Sequence, residues 1–492
     1  MADAVSRAES DTVVAEPLPL VADLLRALDG AGVVYCHWKS NEAIDRTLTA
    51  ENDLDLLVAR EDGARFNAVV HGLGFRVARP APDRQVPGLV DHFGRDAGSG
   101  RMVHVQAHYL LVLGDDMTKN YRLPIEDAYL ASRHRVGPIA VPSPEFELLV
   151  FLVRMVVKHC PWDTQVARQG RLTPSERREL EFLSERSDAA VLEALRAEHL
   201  PFVSADLLAV GRRALDARSG RVQRAVAGHR LLGALQPYAR RSWPHDLGLR
   251  LWRRLRRRRG GSTGRRSLDS GGLLVGVVGG DDLPEPSAVA EAAATFAGLF
   301  PTRAIHLGKP PRSRLTRVLG GLLRRLGVAR ETRRLPAWTD WDAVGYPGFG
   351  FVLLHTLTAR DRHRAHREAR RAADRGALVI SDRFPLQGIE LMDGPRTAAL
   401  EGLDLGPVAR WLVQREADYY RRIDPPDLLL VLRVDPDVAV MRRPEQDADF
   451  VRRRAAEVWA HDWACVDAVV IDASLPQDEV LAEVRNAIWA AL

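Results

Sequence analysis

Cysteine is scarce in this chain: there are three in 492 residues, Cys36, Cys160 and Cys465, far apart and without paired spacing. That excludes a disulfide framework and a cysteine-based zinc site, and a reducing cytoplasm is the expected compartment. Lysine is almost as scarce, with only Lys39, Lys119, Lys158 and Lys309. Arginine supplies the remaining basic charge, which reads as a lineage bias and not as chemistry. No transmembrane segment is expected, because the longest apolar run in a helix-like context, Leu148 to Val157, is short and carries Arg154. The first residues hold acids where a signal peptide needs basic residues and then an apolar run. Residues 1–18 are therefore expected to be a disordered start.

What is present is ample aliphatic content and enough length for two to four domains, each with its own core. The formal net charge is +5, yet residues 250–266 alone hold nine arginines and no acid, so the remainder is net acidic. With Gly260 to Gly264 inside it and Ser270 to Gly272 marking its end, 250–271 reads as a basic interdomain linker. It is solvated, or it binds polyanions weakly. Trp252 is its one aromatic residue, so it offers no series of stacking platforms for single strands. Residues 143–249 read as a helical domain. Ser143-Pro144-Glu145 has the form of a helix cap, and Phe146, Leu149, Val150, Val153 and Val157 form one apolar stripe.

Between Leu273 and Phe300 run a strand, a glycine turn and a helix in the order of a phosphate-binding loop. A working loop, G-x-x-x-x-G-K-[ST], cradles phosphates with backbone N–H groups and neutralises them with lysine. Here the stretch after Gly279 carries Asp281 and Asp282, Pro284 replaces the second glycine, Glu285 the lysine and Pro286 the first hydroxyl, before Ser287. Two prolines remove two donors, and the carboxylates repel polyphosphate. Further on, the strand Gly376 to Ser381 delivers Asp382-Arg383-Phe384, a second apolar strand runs from Leu428 to Val434, and a third, Ala468 to Ser474, precedes a helix from Gln477. Over 272–492 the chain resembles the thymidylate kinase-like branch of P-loop kinases. The resemblance implies a parallel sheet covered by helices, with Asp382 and Arg383 beside the acceptor nucleotide and the arginines from Arg442 and Arg443 onward in the lid. With a degenerate Walker A motif, kinase activity is not expected; a nucleotide kinase is the weakest of the functional readings. A surface ion pair is the plain alternative for Asp382-Arg383.

The N-terminal third, 19–142, carries a second signature that keeps its carboxylates. Lys39-Ser40-Asn41 is followed by Asp53-Leu54-Asp55 in a strand, whose alternation puts both aspartates on one face. Such a pair facing a cleft suits Mg2+ carrying a nucleotide, although a solvated strand face would read the same way. A serine followed by Asp-x-Asp resembles the minimal nucleotidyltransferase family, which implies metal at Asp53 and Asp55 and triphosphate at Lys39, Ser40 and Asn41. The strand in the position of the family's third acid, Arg101 to His108, offers His104, Gln106 and His108 instead; Asp91 and Asp96 are the nearest acids that could reach the site. His104 and Gln106 join the candidate nucleotide contacts.

The fold class expected is α/β: a nucleotidyltransferase-like domain, a helical domain and a kinase-like parallel sheet. The leading functional expectation is Mg-dependent nucleotidyl transfer from a nucleoside triphosphate to an unknown acceptor. The alternative is a non-catalytic nucleotide-binding or scaffold protein. A third acid facing Asp53 and Asp55 would favour turnover.

Overall fold

The computed structural model describes residues 15–115, 117–168, 170–258, 266–279, 288–325, 346–386, 388–389, 391, 394–400 and 402–492. The chain divides into two compact units, Met1–Gly264 and Arg265–Leu492.

The first unit opens with helix α1 (Pro19–Gly30), which buries Val21, Leu24, Leu25 and Leu28 at helical spacing. Five strands follow: β1 (Tyr35–His37), β2 (Leu54–Val58), β3 (Arg76–Arg79), β4 (Leu89–Arg95) and β5 (Met102–His108). They lie in the order β1-β2-β5-β4-β3. Strand β5 runs parallel to β2 and antiparallel to β4. Residues 1–14 of the expected disordered start lie outside the described residues. The expectation fails for 15–18: Ala15 N–H donates to Asp45 Oδ1 at 2.8 Å and Leu18 N–H to Leu48 O at 2.9 Å.

Helix α2 (Pro144–His159) starts as its sequence requires, with Pro144 in the first turn and the Ser143 hydroxyl accepting from Phe146 N–H at 3.3 Å. It buries far more than one stripe: Leu148, Phe151, Leu152, Met155 and Val156 are buried along with the expected residues. The reason is that α3 (Trp162–Arg168), α4 (Pro174–Arg186), α5 (Ala189–His199), α6 (Ala205–Ala214) and α7 (Arg221–Ala234) surround it. Each fully buried aliphatic side chain of this kind contributes roughly 1.5–3 kcal/mol. One continuous apolar core runs from Val21 through the strands to Leu235, so 19–142 and 143–249 fold as one unit and not as two domains.

The linker reading also needs correction. Helix α8 (Trp243–Arg258) occupies the first half of that segment and belongs to the first unit. Arg250 is buried, donating to Asp163 Oδ2 at 2.8 Å and paired with Asp246 Oδ2 at 3.1 Å. Arg254 reaches Asp115 Oδ2 at 2.9 Å and Asp163 Oδ2 at 3.0 Å. Residues 259–265 lie outside the described residues.

The second unit is a parallel sheet built as expected. Its strands are β6 (Leu273–Gly279), β7 (Thr302–His306), β8 (Leu378–Asp382), β9 (Leu428–Arg433) and β10 (Val469–Asp472), in the order β7-β8-β6-β9-β10. Every pair in it is parallel. Buried on both faces, β6 and β9 read as near-continuous apolar runs, as parallel strands do. Helices α9 (Ala288–Ala297), α10 (Arg314–Arg325), α11 (Phe349–Ala373), α12 (Pro407–Arg421), α13 (Pro436–Arg442), α14 (Ala448–Ala460) and α15 (Gln477–Ala491) make the crossovers and the C-terminal end. The order brings the carboxyl ends of all five strands to one edge and reverses direction beside β6, the kind of place where open α/β sheets take ligands. Gly279 is required there: its φ is +81°, and a Cβ would lie 2.2 Å from Leu432 O. Among the described residues no helix is long and apolar enough to cross a membrane.

Candidate functional site

In the first unit the register does what alternation alone suggested and adds a strand to it. Asp55 pairs with Gln106 across β2 and β5, and Gln106 pairs with Asp91 across β5 and β4. Asp55, Gln106 and Asp91 therefore form one row on one face of the sheet. The acid in this row beyond Asp55 is Asp91, one strand further out, while Gln106 takes the central position. His104 sits between the acids, its Nδ1 2.9 Å from Asp53 Oδ1 and its Nε2 2.8 Å from Asp91 Oδ1. A neutral imidazole carries one N–H and cannot donate to both carboxylates, so this geometry calls for the imidazolium. Burial pulls the His104 pKa down, but its bonds to Asp53 and Asp91 outweigh that and raise it. The ring stacks on Phe93 at a 4.3 Å centroid distance. Gln106 Nε2 donates to Asp53 Oδ2 at 3.4 Å.

Asp55 has its own cation. Lys39 Nζ lies 2.9 Å from its Oδ1, and His108 Nε2 lies 3.3 Å from the same oxygen. Burial alone would raise the Asp55 pKa; Lys39 and the His108 bond outweigh it and hold the carboxyl far below the usual range. Burial lowers His108, which serves as a neutral donor to Asp55. The His108 ring meets Trp38 edge-on at 5.1 Å, and Lys39 Nζ is 5.2 Å from the centroid of the same Trp38 ring.

Of the residues expected to hold triphosphate, Lys39 pairs with Asp55 in this row, whereas Ser40 and Asn41 are engaged elsewhere. Ser40 does not open a long helix: its φ is +60°, its hydroxyl makes no cap, and a single turn (Asn41–Ala43) and a five-residue helix (Ile44–Leu48) follow. Ser40 N–H donates to Glu179 Oε1 at 3.1 Å. Asn41 donates to Glu147 twice, from its backbone N–H at 3.3 Å and from Nδ2 at 2.8 Å. Glu179 also receives Arg154 Nη2 at 2.6 Å, and Arg154 lies 5.7 Å from the Trp38 ring centroid. Burial pushes Glu147 up to about 8, and burial with the Glu179 charge pushes Glu42 up to about 7. Glu147, Glu179 and Arg154 were not singled out from sequence. The available signal was a pair of charges, Glu147 and Arg154, inside a long, mostly apolar helix, where a charged side chain needs a partner.

In the second unit Gly279 ends β6 at the carboxyl edge; Asp281, Glu285 and Ser287 of the degenerate loop lie outside the described residues. Asp382 ends β8 at the same edge, with Oδ2 3.7 Å from His306 Nδ1. Arg383 follows with φ +50°, an uncommon backbone for a residue with a side chain. Phe384 is buried against the sheet, its N–H donating to Val277 O at 2.9 Å. The two lid candidates have internal partners. Arg442 donates to the carbonyls of Ala473, Ser474 and Leu475, clamping the turn after β10, and Arg443 pairs with Glu445 at 3.5 Å.

No protein-family model matches the chain. Two curated relatives share the name "Uncharacterized ATP-binding protein YghR", one from Escherichia coli strain K12 and one from Escherichia coli O6:H1 strain CFT073. Each is 29% identical to the chain over 141 residues, which is 28% of this chain and 55% of the relative. The chain thus spans about half the length of the curated relatives it matches.

Proposed function

We propose that the protein binds a nucleoside triphosphate and that its first unit carries Mg-dependent nucleotidyl transfer. The observation behind this reading is the row of Asp55, Gln106 and Asp91, with Asp53 and Lys39 beside it on one sheet face. The resemblance of Ser40 and Asp53-Leu-Asp55 to the nucleotidyltransferase family supports it, and the printed name of the relatives supports ATP as the nucleotide. Among the described residues no three His, Cys, Asp or Glu side chains assemble into a metal-holding group. Magnesium does not need one, since it is commonly held by one or two carboxylates, water and substrate phosphates. Asp53 and Asp55 fit that requirement, and the Lys39 ammonium already stands as a cation against Asp55. When bound, the metal would supply charge neutralisation on the phosphates. Lys39 would give a second positive charge there, and His104, held by Asp91, fixes the orientation of Asp53. An acceptor hydroxyl or phosphate oxygen would attack the α-phosphorus: the new P–O bond forms as the α–β P–O bond breaks, pyrophosphate leaves with the electron pair of that bond, and a hydroxyl's proton passes to solvent.

A second reading, a non-catalytic nucleotide-binding or scaffold protein, is favoured by one observation: Glu179 and Glu147 already occupy the Ser40 and Asn41 amides. Phosphotransfer by the second unit forms no part of the proposal, because Glu285 stands in the lysine position of its loop. Calorimetric titration of the full chain with ATP, with and without Mg2+, tests the binding claim. Asp53→Asn and Asp55→Asn should each weaken Mg-dependent binding by about tenfold or more, one charge being removed from a two-carboxylate site. Unchanged affinity in both variants removes this face from consideration. Tight binding with no release of pyrophosphate across a panel of acceptors selects the second reading.

A further inference from the structure

Helix α8 is amphipathic in the reverse sense. Its charged side is the inner one, where Asp246 and Arg250 are buried and Arg250 and Arg254 are committed to Asp163 and Asp115. Its apolar side is the outer one: Leu251, Trp252 and Leu255 each keep close to half of their surface exposed. At about 100° per residue, Leu251, Trp252 and Leu255 fall within an arc of roughly 100°, opposite Asp246 and Arg250. The buried ion pairs fix this rotation, so the apolar arc cannot turn inward. The neighbouring helix α3, which supplies Asp163, leaves Trp162 and Val166 exposed as well. At the end of the arc, the Arg256 guanidinium lies 5.2 Å from the Trp252 ring centroid, and the last turn reads Arg256-Arg257-Arg258 without an acid.

We infer that α8 is an interfacial helix that docks the first unit onto an anionic lipid bilayer. Exposed leucine and tryptophan gain by entering the boundary between headgroups and acyl chains, and arginines at the same end are drawn to anionic headgroups. A nucleic-acid backbone would use the arginines but has nothing to offer Leu251 and Leu255, so the combination favours lipid over the polyanion binding expected from charge alone. The inference does not depend on the nucleotide site.

The test is flotation of the full-length protein with vesicles of phosphatidylcholine, alone or with about one third phosphatidylglycerol. Partitioning should be at least about tenfold stronger onto the anionic vesicles and should fall in high salt. The triple change Leu251→Ser, Trp252→Ser, Leu255→Ser should reduce it by about tenfold or more with the far-UV circular dichroism unchanged. Arg256→Gln should reduce it by about fivefold, the effect of one basic residue near the surface. If the triple variant loses helicity, Trp252→Ala alone should still lower partitioning. Failure of the wild type to float with anionic vesicles overturns the inference. So does equal partitioning of the folded triple variant. A wild-type dimer that the triple variant dissociates, without vesicle binding, would assign the face to a second copy. Retention on single-stranded DNA that depends on Leu251 and Leu255 would assign it to nucleic acid.

Discussion

The two units bury charge in different ways. In the first, charge meets charge: Arg250 with Asp163 and Asp246, Arg154 with Glu179, His104 between Asp53 and Asp91, Lys39 with Asp55. In the second, several charged groups lean on the backbone and on hydroxyls. Arg362 donates to Leu307 O and Gly308 O, Arg442 to the carbonyls after β10, and Glu416 accepts from Thr397 and from Arg396 N–H. Paired charges stabilise a site only as a set, because removing one partner strands the other in a medium that solvates it poorly. A charge clamped to carbonyls fixes a local turn, and its loss is felt locally. The first unit should therefore respond to substitution and pH as a network, and the second one residue at a time.

The largest effect should come from Arg250→Met, which leaves Asp163 and Asp246 short of a partner. A loss of about 3–5 kcal/mol of unfolding free energy is expected in chemical denaturation. A loss under about 0.5 kcal/mol, the usual cost at an exposed position, would show that the network has no more weight than a surface arginine. In the second unit, Arg442→Met should cost about 1–3 kcal/mol through unsatisfied carbonyls of the turn after β10. It should leave the ATP binding proposed for the first unit unchanged; a matched fall in that binding would erase the distinction between network and clamp.

Glu147 gives the pH arm. Its folded pKa of about 8 is above the unfolded value of about 4.3, so the fold binds this proton more tightly than the unfolded chain does. Its contribution is complete below about pH 4 and is lost progressively as pH rises through 8. Glu147→Gln, which cannot ionise, should flatten the fall in stability between about pH 5 and pH 9. Parallel stability curves for the two proteins would mean that Glu147 stays ionised in the fold. The smallest effect should be that of Arg364→Gln in the second unit. The exposed i,i+4 pair with Glu368, at 3.0 Å, is worth about 0.3–0.5 kcal/mol and should vanish in high salt.

The parallel sheet was legible from sequence because its central strands are buried on both faces and written as apolar runs, as in Leu273 to Val278 and Leu428 to Leu432, whereas the edge strand Thr302–His306 is partly exposed and carries no such run. Asp53 and Asp55 were legible from alternation, and the start of α2 from Ser143-Pro144. Asp91 was not: placing it in the row requires the register between β4 and β5, and that register comes from pairing across the turn at Gly98 to Gly100. Glu147 and Arg154 were hidden by the apolar pattern around them, since periodicity reports which face is buried and is silent when every face is. Helix α8 was misread for a related reason. Arginine-rich sequence next to glycine looks solvated unless the acids that receive it, Asp115 and Asp163, are known to lie alongside.

The continuous core from Val21 to Leu235 bears on what can be exchanged or inherited as a module. A fragment ended at residue 142 would keep the Asp55–Gln106–Asp91 row but lose α2, which lies at the centre of that core, together with Glu147 and Arg154. Recombination at that point would deliver a sheet with one side stripped and an apparent active site with nothing behind it. The smallest transferable piece is the one that runs through Arg258, where the ion pairs of α8 close the fold.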